Sequence, residues 1–304
     1  MLVQEKIACL SRRSVIVGGA VIAMTGTWKP KAAVAASDPT GVNFQSTGSK
    51  EPALIFVHGF ACGLSDWDGQ VKALSPNFRC TALDLPGHGK SEMPAAPTIE
   101  ALAKAVNVVK DRVAPSKAIL IGHSMGCRVI LEAFLQSKTS IAGLVFVDGS
   151  ILGGDPETGV AKAKGAIAKA GMDAFTQRLF SDMFLPGTDE KIKQRIVTRA
   201  TSIDAKFREE LFVDVVRWDL TKSRDGLRQL NVPALVLQAT YVNSELKRVP
   251  IEAGMTTPWM DAVAQFAAKP ELRIIPNSGH FAMIDATQAI NEEIGKFADR
   301  VRGT

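Results

Sequence analysis

The chain has 304 residues, 46% of them hydrophobic and 22% charged, with a formal net charge of +5. These proportions exclude a disordered chain and fit either one core carrying an insertion or two domains. No apolar run reaches the ~20 residues of a membrane span, and five cations against one anion fall in residues 1–36, so the nearly neutral remainder argues against a nucleic-acid surface.

The first 36 residues read as an address. Arg12-Arg13 precede the short apolar stretch Val15–Met24, Lys29 and Lys31 follow it, and Ala32-Ala33-Val34-Ala35-Ala36 offer small-residue cleavage sites. This order resembles a twin-arginine export signal, which implies an encounter with the export machinery, cleavage near Ala36, and a periplasmic or secreted protein. Cys9 lies in this segment, leaving Cys62, Cys80 and Cys127. An odd number cannot form a complete disulfide framework, and buried free thiols are the favoured reading. An oxidising compartment would permit one bridge, for which Cys62 and Cys127 are the pair.

From residue 37 onward, short apolar runs alternate with amphipathic stretches. Strands are expected at Ala53–Val57, Phe78–Leu83, Ala118–Ile121, Leu144–Val147, Ala234–Leu237 and Leu272–Ile275, and helices at Ile99–Val113, Met125–Leu135 and Ala286–Val301. Such alternation predicts an α/β fold, a mostly parallel central sheet with helices on both faces. The alternation breaks between residues 151 and 230, a long helical pattern without a strand, which reads as an inserted cap. The body therefore divides into a first core part over 37–150, the cap over 151–230, and a second core part over 231–304. If the signal is removed, few residues remain before Ala53 to build leading strands.

Ligands bind such sheets beyond the carboxyl ends of the strands, so the residues just after each run carry the argument. Gly122-His123-Ser124-Met125-Gly126 stands between a strand and a helix pattern. In that context the turn needs small flanking residues and exposes the Ser124 hydroxyl as a nucleophile. It also aims the Met125 amide at an incoming carbonyl oxygen. His58-Gly59-Phe60 ends the first core strand and frees the Phe60 amide as the second oxyanion donor. Of the four histidines, His280, in a loop after the last strand, is expected to be the general base. His58, His88 and His123 read as structural, as does Asp84.

Together with Asp84-Leu85-Pro86-Gly87-His88-Gly89-Lys90-Ser91 and Gly279-His280-Phe281, these motifs resemble, in order, those of the α/β-hydrolase superfamily over about residues 50–300. The resemblance implies a Ser–acid–His triad and no cofactor, and Ser124 argues against the branches that use an aspartate nucleophile. The acid departs from the commonest pattern. No carboxylate follows Ala234–Gln238 at the usual place. Asp148, ending the strand after the nucleophile helix, is the first candidate and Glu245 the alternative; loop capping and a solvated charge are their respective bland readings.

Phe60, Trp67 and Trp218 are expected substrate contacts. Met172, Phe175, Phe180, Met183 and Phe184 supply further apolar surface, with packing of the cap itself the more ordinary use. The expected function is hydrolysis of a carboxylic ester or lactone of a small apolar molecule through an acyl-enzyme on Ser124. An amidase, a C–C bond hydrolase or a perhydrolase would use the same triad, and a ligand-binding protein on a hydrolase scaffold is the reading from another class. No His/Cys cluster suggests a metal.

Overall fold

The computed structural model describes residues 34–37, 41–114, 116–242, 248–268 and 270–303. The export-signal reading otherwise lies outside these residues. Val34–Ser37 is a strand, β1, pairing antiparallel with β2 (Asn43–Thr47). Residues 34–36, assigned to the signal by sequence, thus join the edge of the sheet.

Eight strands run in the order β1-β2-β4-β3-β5-β6-β7-β10, where β3 is Ala53–Val57, β4 Arg79–Leu83, β5 Ala118–His123, β6 Ile141–Val147, β7 Ala234–Gln238 and β10 Pro270–Ile274. Only the pairings that involve β2 are antiparallel. All five residues of β3, all six of β5 and all five of β7 are buried, as a sheet covered on both faces requires. A short ribbon of β8 (Thr240–Val242) and β9 (Arg248–Pro250), which the sequence pattern did not reveal, stands beyond the end of β7.

The amphipathic segments cover the sheet. Helix α1 (Asp68–Leu74) packs against α10 (Thr287–Arg302), and α2 (Ile99–Val113) against α3 (Met125–Gln136). Helix α8 (Pro258–Phe266) lies between β9 and β10, with Pro258 in its first turn and Thr257 accepting from the Met260 amide. The short α9 (Ala282–Asp285) leads into α10.

Between β6 and β7 the chain forms four helices, α4 (Pro156–Ala170), α5 (Met172–Ser181), α6 (Glu190–Ser202) and α7 (Ala205–Arg228), in the span read as a cap. Asp155, Asp189 and Asp204 cap α4, α6 and α7 through their side chains, which is why each starts where it does. Arg199 on α6 ties this insertion to the core through a two-pronged bridge to Asp66, at 2.9 and 2.7 Å. The Cys62–Cys127 bridge permitted by sequence is absent. Cys62, Cys80 and Cys127 are buried free thiols, and Cys127 donates to the Gly122 carbonyl. Burial pushes Cys80 and Cys127 up to about 12, which keeps them unreactive.

Candidate active site

The sharp turn after β5 is built from the absence of side chains. Ser124 has φ 55° and ψ −114°, in the left-handed half of backbone space that a non-glycine residue occupies under strain. A Cβ on Gly122 would stand 2.3 Å from the Gly126 carbonyl oxygen, and one on Gly126 2.5 Å from that of Val57. The strained residue is held by its own backbone. The Ser124 amide donates to the Val147 carbonyl at 3.0 Å, and its carbonyl accepts from Cys127 at the start of α3. The Met125 amide opens α3, at the positive end of the helix dipole. Among the described residues, neither this amide nor that of Phe60 donates to another group.

Asp148 follows Val147, so the bond from Ser124 to Val147 fixes the turn and the end of β6 together. Asp148 also has a left-handed φ, 47°, and is fully buried. Its carboxylate is gripped on both oxygens. Oδ1 accepts from the amides of Ala239 at 2.9 Å and Thr240 at 2.7 Å and from Gln238 Nε2 at 3.1 Å. Oδ2 accepts from Thr240 Oγ1 and from His280 Nδ1, each at 2.6 Å, with Arg248 Nη1 at 3.4 Å. Burial alone would raise this carboxyl. The hydrogen bond and charge of His280, with Arg248 and Thr240, outweigh that and hold it below its ordinary value.

This arrangement explains the missing carboxylate after β7. The place holds Ala239 and Thr240, whose amides serve as ligands for a carboxylate supplied from β6. The two strands are parallel neighbours, with Val147 opposite Leu237, so their carboxyl ends lie side by side, one strand spacing of ~4.8 Å apart. Glu245, the alternative acid, lies outside the described residues.

His280 is held at three points. Nδ1 donates to Asp148, its amide donates to the Met183 carbonyl at 2.9 Å, and its carbonyl accepts from His123 Nε2 at 2.8 Å. Nε2 is buried with no hydrogen-bond partner among the described residues, the Ser124 hydroxyl included. Desolvation, with the charge of Arg248, pushes His280 down to about 4 despite the bond to Asp148. The ring is therefore neutral at pH 7, protonated on Nδ1, with an acceptor lone pair on Nε2.

The other histidines serve the frame. His58 donates from Nδ1 to the Gly59 carbonyl and accepts from the Leu85 amide on Nε2, at 2.8 and 2.9 Å. His88 bonds the Pro86 carbonyl, and Asp84 ties Asn43, Leu64 and Lys90 together. Burial lowers His58, His88 and His123 to about 3.

A cavity of about 330 Å³ opens on Ser124, Phe60 and Met125. Its far wall comes from the cap and α8, through Leu179, Met183, Phe212, Val215 and Trp259. Of the expected substrate contacts, Phe60 lines it, edge-on to Phe212 at 5.5 Å. Trp67 and Trp218 do not. Trp67 is fully buried against Phe56, with ring centroids 5.2 Å apart. Trp218 is 2% exposed and donates its indole N–H to Glu132 at 2.8 Å, a bond that turns it toward α3. Met172, Phe175, Phe180 and Phe184 also lie off the cavity wall. Phe175 packs on Phe212 and Phe184 stacks on Phe281, so only Met183 of the named cap residues reaches the cavity.

Sequence reasoning missed Arg128, Arg248, Gln238, Thr240 and Trp259. Arg128 stands four residues after Ser124, one helical turn along α3, and this periodicity marks it as a neighbour of the turn. Nothing local to the sequence marks the others; Thr240 and Arg248 belong to the β8–β9 ribbon, Gln238 ends β7 and Trp259 lies on α8. Among the described residues no cluster of three or more His, Cys, Asp or Glu could hold a metal ion.

Residues 54–293 match the Alpha/beta hydrolase family. A pimeloyl-[acyl-carrier protein] methyl ester esterase of Methylococcus capsulatus is 32% identical over 157 residues, 52% of this chain and 56% of that one. The dihydrolipoyllysine-residue acetyltransferase component of the acetoin cleaving system of Pseudomonas putida is 27% identical over 266 residues, 84% of this chain and 65% of that one. The chain thus spans less than two thirds of the length of either relative. A thermophilic esterase from Thermogutta terrifontis superposes with a TM-score of 0.71 at 20% identity, over 89% of this chain and 98% of that one. The enol-lactonase from Burkholderia xenovorans superposes with a TM-score of 0.65 at 23% identity, over 84% and 95%. At those identities the likeness is one of fold. The family match covers most of the chain and includes the turn at Ser124, the grip on Asp148 and the loop of His280; this protein belongs to the alpha/beta hydrolase family.

Proposed function

We propose that this protein is a serine hydrolase that cleaves a carboxylic ester or lactone of a small, largely apolar molecule. The observation that carries the reading is the buried His280–Asp148 pair, which leaves Nε2 as an unoccupied base beside the strained turn of Ser124. Esterases among the relatives and an enol-lactonase among the structural neighbours support the same reaction class.

In the proposed reaction, His280 Nε2 takes the Ser124 hydroxyl proton as Oγ bonds to the substrate carbonyl carbon. The oxyanion accepts from the Phe60 and Met125 amides. The tetrahedral intermediate then collapses, breaking the carbon–oxygen bond to the leaving group, which leaves with the proton from His280. Water attacks the acyl-enzyme by the reverse sequence and returns the proton to Ser124. Asp148 stays ionised throughout, fixing the tautomer and stabilising the imidazolium.

The test is hydrolysis of a p-nitrophenyl ester series from acetate to octanoate. Turnover that falls to background in Ser124→Ala supports the reading. No turnover of any member, with no labelling by a serine-directed phosphonate, sinks it in favour of a binding protein on this scaffold. We also propose that the chain is exported folded by the twin-arginine route and acts in the periplasm or outside the cell. Expression in a bacterium lacking that translocase should then strand the precursor in the cytoplasm, whereas unchanged export would refute the route.

A further inference from the structure

We propose that the cavity carries an anion subsite centred on Arg248, and that the substrate is an ester bearing a carboxylate that docks there. The inference rests on the ester-hydrolase reading and narrows it to a substrate class.

The argument begins with the cost of a guanidinium in an apolar wall. Arg248 lines the same cavity as Ser124, Phe212 and Trp259, and its side chain is 16% exposed. A buried cation in such a place needs close pairing. Arg248 Nη1 donates to Thr240 Oγ1 at 2.8 Å, a neutral partner. Its nearest described carboxylate oxygen, Asp148 Oδ2, is 3.4 Å away, well beyond the ~2.7–2.9 Å of a charge-assisted bond. Asp148 cannot come closer, because its two oxygens already accept five hydrogen bonds from Gln238, Ala239, Thr240 and His280. Its carboxylate is the triad's, and Arg248 has only a remote share of it.

Among the described residues the cavity lining holds two charged side chains, Arg128 and Arg248, and no carboxylate. Arg128 commits Nη2 to Asp219 and Ser150, which leaves Arg248 as the loosely paired cation of the wall. A group that only accepts suits such a cation, and an ionised carboxylate is such a group. The remaining wall is apolar, so the rest of the substrate is hydrocarbon.

The test compares methyl valerate with monomethyl glutarate, which have the same chain length and differ in a terminal methyl against a carboxylate. Wild type, Arg248→Met and Arg248→Lys are followed by pH-stat. Wild type should favour the charged ester by about tenfold or more in kcat/KM, chiefly through KM. Arg248→Met should bring the ratio to about one, with Arg248→Lys between. A wild-type ratio at or below one overturns the subsite. So does a ratio that survives in Arg248→Met while both esters lose kcat equally, the signature of a residue that only positions Asp148. Calorimetry of glutarate against the full chain carrying Ser124→Ala keeps the proposal testable without turnover. Binding that weakens in the Ser124→Ala/Arg248→Met double variant supports the subsite, and no binding overturns it. Absence of hydrolysis alone counts against the hydrolase reading and leaves the binding result to decide the subsite.

Discussion

Asp148→Asn separates the role of the acid's charge from its shape. The carboxylate accepts three N–H groups on Oδ1 and the Thr240 hydroxyl and His280 Nδ1 on Oδ2. An asparagine must place an NH₂ on one side. On the Oδ1 side it would face three donors, so it turns toward Oδ2, where it opposes the Nδ1 proton. His280 then relieves the clash by moving its proton to Nε2, where the base's lone pair is needed. A triad with the wrong tautomer loses about 10⁴ in kcat. The same substitution removes the carboxylate 3.4 Å from Arg248; that contact is longer than a charge-assisted bond and Arg248 is partly exposed, so the stability loss should stay below the about 3–5 kcal/mol of a broken buried pair. The assay is kcat/KM on p-nitrophenyl butyrate beside Glu245→Gln, with the unfolding midpoint measured in parallel to show that the variant is folded at the assay temperature. Asp148→Asn should fall by about three to four orders of magnitude, while Glu245→Gln stays near wild type. A folded Asp148→Asn within tenfold of wild type, or a collapse of Glu245→Gln instead, refutes the assignment of the acid.

Four further outcomes follow from the same geometry. Because burial pushes His280 down to about 4, the acid limb of kcat/KM should lie well below the ordinary histidine range near 6.5, and a limb at 6.5 would contradict the buried environment. The four buried histidines, lowered to about 3–4, bind protons more readily when unfolded, so stability should be fully present above pH 6.5 and fall as the pH drops from 6.5 toward 4; equal urea midpoints at pH 7.5 and pH 5 would contradict this. Gly126→Ala drives a Cβ to 2.5 Å from a backbone oxygen that cannot retreat within the sheet. It should cost about 3 kcal/mol or more in a urea titration and abolish turnover, whereas a stable, active variant would show that the turn has room. Trp218→Phe leaves Glu132 without its indole partner and should cost about 1–3 kcal/mol with kcat/KM unchanged; a changed acyl-chain preference would return Trp218 to the substrate path.

The centre of the sheet was legible because β3, β5 and β7 are buried throughout and read as unbroken apolar runs. Six of the eight strands were located within a few residues of their ends. Strands β1 and β2 were not; in β2 only Phe44 is buried, so it offers no apolar run. Ser124, His280 and Asp148 stood out as candidates for a related reason. Each sits at the carboxyl end of a core strand, where a chemically active residue stands out against an apolar run. The choice between Asp148 and Glu245 could not be made from position, because the deciding groups are the amides of Ala239 and Thr240, and an amide has no signature in a sequence. The cavity was the least legible. Trp67 and Trp218 look like ligand-stacking residues by type, yet one fills the core beside Phe56 and the other is turned by its bond to Glu132. Phe212 and Val215 look like ordinary helix packing and line the cavity instead. Which face of a helix meets an empty space rather than a neighbour is decided by tertiary packing.

The central claim is that Ser124 is a nucleophile activated by His280. It is tested most directly by mass spectrometry of the full chain after exposure to a fluorophosphonate. The account predicts one covalent adduct per chain, mapping to Ser124, absent in Ser124→Ala and formed far more slowly in His280→Ala. A chain that stays unmodified, or an adduct that persists in Ser124→Ala, would contradict it.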